Sequence, residues 1–312
     1  MSQEPFIAIA IINYNGREVT DKCLKSLKIT NYKNYKVFLL DNGSSTDDYT
    51  YFKKKYKNIN VFKSPKNLGY APGMNFLWKK IFDEYNPDYI CNLNNDIITI
   101  DKDWLKKMVE ILEKKPEYGI CGNKLVYSDY SLQIDYYSGN PIVLKIGTVK
   151  DNGQFDYIKD VNSIVGANMF IKRKLISDIG GLDSNFFYGP DDIDYCYRAR
   201  KAGFKIIYNG KSKVMHIGST TSTTLTDDYK FKPLCYGYLL LSYRHDNWFG
   251  KIKTTIHYFA KIFVSKKEFY KRISINNLQF HITFPKRFIY FCEDFIKAIK
   301  NYDKIQTINI PK

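Results

Sequence analysis

The stretch DYICNLNNDI, residues Asp88–Ile97, is a short apolar run that stops on two amides and one carboxylate. A short run of this kind, apolar from Tyr89 to Leu93 except for Asn92, reads as a strand. Its neighbours set its context. APGMNFLWKKIF precedes it and predicts a helix opening after Pro72; DKDWLKKMVEILEKK follows and predicts an amphipathic helix. Working back toward the N-terminus, FIAIAII (Phe6–Ile12), KVFLLD ending at Asp41, and INVFKS each read as strands. Between the first two lies a helix with Val19, Cys23, Leu24 and Leu27 on one face. GSSTDD supplies turn residues and helix N-cap candidates. Strand and helix therefore alternate over the first 115 residues, the pattern of a mostly parallel sheet covered by helices. In such sheets ligands bind beyond the carboxyl ends of the strands. Asn13-Tyr14-Asn15, Asp41-Asn42-Gly43 and Asn94-Asn95-Asp96 all fall at those ends.

Beyond this region the pattern weakens from Lys124 to Asp160, where short strands or a hairpin are expected. VNSIVGANMFIKRKLISDIGGLD predicts a strand and a short helix, and DDIDYCYRARKAGFKIIY a helix that stops near Gly203 and a further strand. TSTTLTDDYK reads as a polar loop, and the chain beyond Phe231 as helical, basic and aromatic. Two regions follow: an α/β domain over 1–228 and a C-terminal helical region over 229–312.

The 312 residues, 44% of them hydrophobic, are ample for a buried core. The six cysteines form no C-x-x-C pair and read as buried free thiols of a reducing compartment. The N-terminus carries no basic segment before its apolar run, and no window offers the roughly 18 apolar residues of a membrane span. A cytoplasmic protein is expected, one able to sit peripherally on the inner face of the membrane. Net charge is +16, and residues 245–312 hold 13 basic against 5 acidic side chains, a local excess of +8. That excess favours polyanions. Its mixture with Phe, Tyr and Ile suits an anionic membrane surface; the plainer alternative is a helical subdomain or homo-oligomer contact with solvated lysines.

No G-x-G-x-x-G follows the first strand, and there is neither a phosphate-binding G-x-x-x-x-G-K-[ST] loop nor a G-x-S-x-G elbow. Carboxylates, amides and one histidine remain. Asp96, at the ligand edge, offers the oxygen that a hard divalent cation takes together with substrate phosphates; a strand-ending turn explains it as well. Asp191, Asp192 and Asp194 crowd a helix start, where the dipole favours acids. Three carboxylates in four residues repel one another unless a proton or cation relieves them, and a proton-accepting base fits there equally. His216, in VMHIGS, is a structural histidine or a metal ligand.

In order, FIAIAIINYN, DNGSSTDD, NLGYAPGMN, LNNDI, GANMFIKRKLISDIGGLD, FFYGPDDIDYCYRARKAGFKI and VMHIGS resemble the family-two glycosyltransferases, over about Phe6 to Thr221. Within that family they look most like the bacterial rhamnosyltransferase and galactofuranosyltransferase-type branch. Each motif alone is weak, and their order is what carries the likeness. The resemblance implies a GT-A fold, a nucleotide-diphospho-sugar donor, a divalent metal (Mn²⁺ or Mg²⁺) and inversion at the anomeric carbon. It places Asn13 and Asn15 where the first strand meets the nucleotide and Asp41 at the pyrimidine base. Asn67 and Gly69, followed by Asn75, fall beneath the ribose and diphosphate. Asp96, with Asn94 and Asn95 before it, matches the end of the D-x-D motif, and His216 a metal or diphosphate contact. Asp192 is the expected base, supported by Asp191. Two departures stand out: only the last acid of D-x-D is present, as is common in this branch, and the acid pair reads Asp-Asp where Glu-Asp is usual.

The expected reaction is therefore transfer of a sugar from a UDP- or dTDP-sugar to a hydroxyl of a glycan acceptor, free or lipid-linked, in cell-surface polysaccharide synthesis. A nucleotide-sugar hydrolase or nucleotidyltransferase on the same fold is the rival enzyme. A nucleic-acid-binding protein is the rival from another class; it would explain the charge but not the acids at the ligand edge.

Overall fold

The computed structural model describes residues 4–133, 149–218, 227–260 and 284–309. In chain order the first part contains β1 (Ile7–Asn13), α1 (Arg17–Ser26), β2 (Tyr35–Asp41), α2 (Asp48–Lys55), β3 (Asn60–Lys63), α3 (Tyr70–Glu84), β4 (Tyr89–Leu93), β5 (Ile97–Thr99) and α4 (Trp104–Lys114). Then come β6 (Tyr118–Val126), β7 (Leu132–Gln133), β8 (Ile158–Val161), β9 (Asn168–Lys172), α5 (Arg173–Ile179), α6 (Asp191–Lys201) and β10 (Lys205–His216). The C-terminal helices are α7 (Asp227–His245), α8 (Trp248–Ala260) and α9 (Phe284–Asn301).

All the strands join one sheet in the order β3-β2-β1-β4-β9-β6-β10-β5, with β7 on β6 and β8 on β10. The half built from β1 to β4 is parallel, as alternation predicts. The other half is mixed: β9 runs antiparallel to both β4 and β6, and β5 antiparallel to β10. The sheet is thus less parallel than the first 115 residues imply, because β9 inserts between two strands from opposite halves.

Strand β1 shows how the sequence builds two layers. Ala8 and Ala10 face the core that holds α3, where Trp78 and Met74 need the room. Ile7, Ile9 and Ile11 face the opposite core, with Leu24, Leu105 and Met108 of α1 and α4. Period-2 alternation of small and large residues therefore sorts the helices between the two faces. Helix α3 starts at Tyr70, two residues before the expected Pro72, because a first-turn position has no intrahelical N–H bond to lose. The polar segment TSTTLTDDYK lies partly outside the described residues, and its end, from Asp227, is helical.

The C-terminal helices pack into the same core as the sheet: Tyr236, Leu239 and Leu240 of α7 and Phe291 and Ala298 of α9 are buried with Trp78 and Leu182. A Cβ at Gly237 would lie 2.4 Å from the Gly189 carbonyl oxygen, so glycine lets α7 approach the loop before α6. Five of the six cysteines are buried free thiols and Cys292 is half-buried.

Candidate functional site

The three polar clusters meet at one sheet edge. Asn13 and Asp41 are register partners across β1 and β2. Asn95 Nδ2 donates to Thr20 Oγ1 (2.8 Å), and that hydroxyl donates to Asn13 Oδ1 (2.8 Å). Asn13 Nδ2 in turn donates to Asp48 Oδ2 at 2.9 Å. Asn13 and Asn95 therefore brace the edge through the chain's own polar groups. Asn15 takes a left-handed backbone (φ 50°) and accepts from the Ser45 N–H at 2.8 Å, closing the loop after β1 onto the loop after β2.

Asp41 is fully buried; one oxygen accepts from the Ser44 N–H at 3.2 Å, and Oδ2 has no hydrogen-bond partner. A buried carboxylate oxygen without a donor is costly. Beside it, Asn42 Nδ2 donates to the Gly69 carbonyl (3.0 Å), and Asn67 Oδ1 accepts from the Gly69 N–H (2.9 Å). Gly69 itself needs to be glycine: its φ is +89°, and a Cβ there would lie 2.6 Å from the Phe187 carbonyl oxygen. Asn75 sits apart from this edge. It is buried and spends its amide on the loop before α6, donating to Leu182 O (2.7 Å) and Ser184 Oγ (3.0 Å) and accepting from Leu182 N (2.9 Å).

Asp96 and His216 are brought together by the antiparallel pairing of β5 with β10, in which Ile97 faces His216. His216 Nε2 lies 3.2 Å from Asp96 Oδ1, an oxygen that is buried and has no hydrogen-bond partner. Gln133 Oε1 lies 2.7 Å from His216 Nδ1. An amide oxygen only accepts, so Nδ1–H donates to it; a neutral ring with that tautomer turns the Nε2 lone pair toward the carboxylate. Two lone pairs at that distance call for a cation or proton between them. Among the described residues no three His, Cys, Asp or Glu side chains cluster as a metal site. Asp96 and His216 thus fit a hard divalent ion only as a partial shell, the rest of which would have to come from oxygens outside this pair. Sequence reasoning missed Gln133, which lies on β7 in the stretch without clear periodicity.

The acid motif opens α6. Asp192 is half-buried and held at both oxygens, Oδ2 by the Gly166 N–H (2.8 Å) and Oδ1 by the Ile193 N–H (2.8 Å). Burial pushes its carboxyl up, against the lowering effect of those N–H groups. Burial, then the Asp192 charge, push Asp191 well up. Asp194 goes the other way. Burial alone would raise it, but His245 (2.9 Å), Arg198 (2.8 Å) and Arg244 (2.9 Å) surround it and hold it at about 2.

The turn Gly166–Ala167 connects the two acid sites. Gly166 N–H binds Asp192, and the Ala167 carbonyl accepts from the Asn94 N–H at 2.9 Å. Tyr70 joins this turn, its hydroxyl donating to the Gly166 carbonyl at 3.4 Å. Burial first, then the charges of Asp191, Asp192 and Asp96 among others, raise Tyr70; burial, Asp96 and Asp191 raise Tyr188. The expected site residues therefore form one region, except Asn75, and the two tyrosines join them without any signal in their sequence neighbourhood.

The comparisons with known proteins agree with this geometry. The model for Glycosyl transferase family 2 matches residues 8–180, more than half the chain. The O-antigen biosynthesis protein RfbC of Myxococcus xanthus is 21% identical over 60% of this chain, which spans only 15% of that relative's length. The N-acetylglucosaminyl-diphospho-decaprenol L-rhamnosyltransferase of Mycobacterium tuberculosis is 21% identical over 78% of this chain and 86% of its own length. The mannosyltransferase of Pyrobaculum calidifontis, solved with GDP-Man and Mn²⁺, superposes with a TM-score of 0.52 at 11% identity, over 96% of this chain and 76% of that one. With the polar edge, the Asp96–His216 pair and the acid helix in place on this sheet, the chain belongs to glycosyl transferase family 2, and it is a glycosyltransferase of GT-A fold.

Proposed function

We propose that the protein transfers a sugar from a UDP- or dTDP-sugar to a hydroxyl of a glycan acceptor, with inversion, in the synthesis of a cell-surface polysaccharide. The observation that carries this reading is the convergence of His216 Nε2 on the unpartnered Asp96 Oδ1 at 3.2 Å. Those two atoms would hold Mn²⁺ or Mg²⁺, with the donor diphosphate completing the shell. A divalent ion there supplies positive charge to the departing diphosphate. Asp41 Oδ2, buried and unpartnered, takes the N3–H that uracil and thymine share. Asn67 and Gly69 set the backbone beneath the ribose and diphosphate, and Asn15 and Asn94 shape the same rim.

Asp192 is the base. Gly166 and Ile193 fix its carboxylate, and burial makes it a better proton acceptor than a solvated aspartate. It takes the acceptor hydroxyl's proton as that oxygen attacks the anomeric carbon. A single displacement by the acceptor, without a covalent sugar–enzyme intermediate, inverts the centre. Burial and the adjacent Asp192 push the Asp191 carboxyl well up, which favours its neutral form beside the base. The mycobacterial relative's name describes a lipid-diphosphate-linked sugar, and an acceptor of that class fits an enzyme of this family.

The test is calorimetric titration of UDP and dTDP with Mn²⁺ and with EDTA, followed by NMR of the product's anomeric configuration. Metal-dependent binding that disappears in Asp96→Ala, and transfer that disappears in Asp192→Asn with donor binding kept, are expected. Equal binding by Asp96→Ala with and without EDTA would remove Asp96 as a ligand. Free sugar as the sole product would make the enzyme a hydrolase.

A further inference from the structure

Helix α8 turns a row of large apolar side chains outward. Trp248 is 72% exposed, Phe249 67% and Ile256 60%, with Ile252 exposed between them. At spacings of i, i+1, i+4 and i+8 these residues fall within an arc of roughly 100° on the helix. The other side of α8 carries the half-buried Lys251, Thr255 and Tyr258. Helix α9 repeats the arrangement: Ile289 and Ile296 are exposed, while Phe291 and Ala298 enter the core. The two helices touch where Phe259 meets Phe291, ring centroids 5.5 Å apart. Single exposed apolar residues are ordinary, but two stripes on adjoining helices are not.

Charge selects among the surfaces that could cover them. Over 247–260 the helix has Lys251 and Lys253 and no acid, and residues 245–312 carry the +8 excess. A second copy would bring the same positive face and repel. Nucleic acid would match the charge but leave Trp248, Phe249 and Ile256 without an apolar partner. No helix among the described residues is long and apolar enough to cross a membrane, so a helix of this kind lies in the interface plane. We infer that the exposed faces of α8 and α9 dock this glycosyltransferase onto an anionic lipid bilayer, with Trp248, Phe249 and Ile256 entering the headgroup boundary and Lys253 meeting lipid phosphate. The surface stands independently of the acceptor's identity. If the acceptor is lipid-linked, as proposed above, docking brings the acid helix to it, because Arg244 and His245, at the end of α7, bind Asp194 of α6 directly.

Sedimentation of the full chain with vesicles of phosphatidylglycerol and phosphatidylcholine, against phosphatidylcholine alone, tests the inference. Wild type should partition onto the anionic vesicles, less at high salt, and poorly onto the neutral ones. Trp248→Ser with Phe249→Ser should weaken that partition at least about tenfold, the loss of two interfacial aromatics. Its melting temperature and UDP affinity should stay at wild-type values, because both side chains are largely exposed and neither is among the residues that form the donor edge. Lys253→Glu should weaken binding to the anionic vesicles alone. No wild-type partition, or equal partition by the double variant, would overturn the inference. So would a concentration-dependent dimer that the double variant abolishes while lipid binding is absent. Metal-dependent UDP binding is read in the same preparations, so loss of the surface and loss of the proposed chemistry register separately.

Discussion

Arg244→Met should destabilise the protein by about 3 kcal/mol. The guanidinium is almost wholly enclosed at the end of α7. Nη1 lies 2.6 Å from Asp183 Oδ2 and 2.9 Å from Asp194 Oδ1. Nε donates to the Tyr302 carbonyl (3.0 Å) and Nη2 to the Lys304 carbonyl (3.3 Å). Both carboxylates are fully buried. Removing one partner of a buried ion pair costs about 3–5 kcal/mol, because an uncompensated charge stays behind. The lower end applies here. Asp194 keeps Arg198 and His245, and Asp183 keeps the backbone N–H groups of Asn185 and Gln306 at 2.9 and 3.0 Å. Urea unfolding at pH 7 measures the effect as a shifted midpoint. Adding Asp183→Asn should restore part of the loss, since it removes a charge that Arg244 no longer balances. The pH dependence has a definite sign. Asp194 is held at about 2 against an ordinary 3.8, so its depressed value contributes about 2 kcal/mol at neutral pH, at ~1.36 kcal/mol per tenfold. That contribution is present above about pH 4 and is lost as pH falls through 2. The gap between variant and wild type should therefore narrow in acid. A loss below about 1 kcal/mol at pH 7, or a gap that widens in acid, would refute this account of the cluster.

Three further outcomes are expected. Burial raises Asp192, so the acid limb of kcat/KM for transfer should lie above the ordinary carboxylate value of 3.8; a limb at or below it would deny Asp192 the role of base. Gln133→Leu should weaken Mn²⁺ binding, measured by calorimetry with UDP present, by about 10–100-fold through loss of the bond that orients His216; unchanged affinity would mean the ring is held by other contacts. Gly166→Ala should lower turnover with UDP affinity kept, because its Cβ would sit 3.1 Å from the Asp192 Cβ; equal losses in both would point to a collapsed loop.

Much of the fold was legible in the sequence because β1, β2 and β4 are buried on both faces and bounded by turn residues, so their runs are mostly apolar. The candidate site was legible only as clusters. Asp41 and Asn13 could be placed at one edge because both end strands of the parallel half. Partnership across distance was not legible. His216 meets Asp96 through the register of β5 with β10, and no local pattern encodes that register. Gln133 lies in a stretch whose periodicity is weak, so nothing marked it as the group that orients His216. Asn75 closes the motif NLGYAPGMN and was expected at the donor; its amide ties α3 to the loop before α6. Arg244 falls in the region beyond Phe231 that reads only as helical, basic and aromatic, and no local pattern singles it out. Its buried acids lie 50 and 61 residues earlier in the chain.

The acid motif shows why composition alone could not assign roles. Three carboxylates within Asp191–Asp194 pose a repulsion problem, and a proton or a cation was the expected relief. The fold treats the three residues differently. Asp194, one turn into α6, is enclosed by Arg198 of its own helix and by Arg244 and His245 of α7, and so stays ionised. Asp191 meets no such cation among the described residues; burial and the adjacent Asp192 leave it favouring its proton. Asp192 lies between these extremes, raised by burial yet held by two N–H groups that favour its charge. That intermediate setting suits the proposed proton acceptor, since a carboxylate with the environment of Asp194 binds protons weakly and burial beside a like charge favours the neutral form of Asp191. On the proposed role of Asp192, the C-terminal helices take part in setting the base. They supply Arg244 and His245, which bind Asp194, and without them its charge would add to the repulsion at the start of α6. Loss of Arg244 should therefore alter the acid limb of turnover as well as stability, a coupling that a merely adjacent helical appendage would not produce.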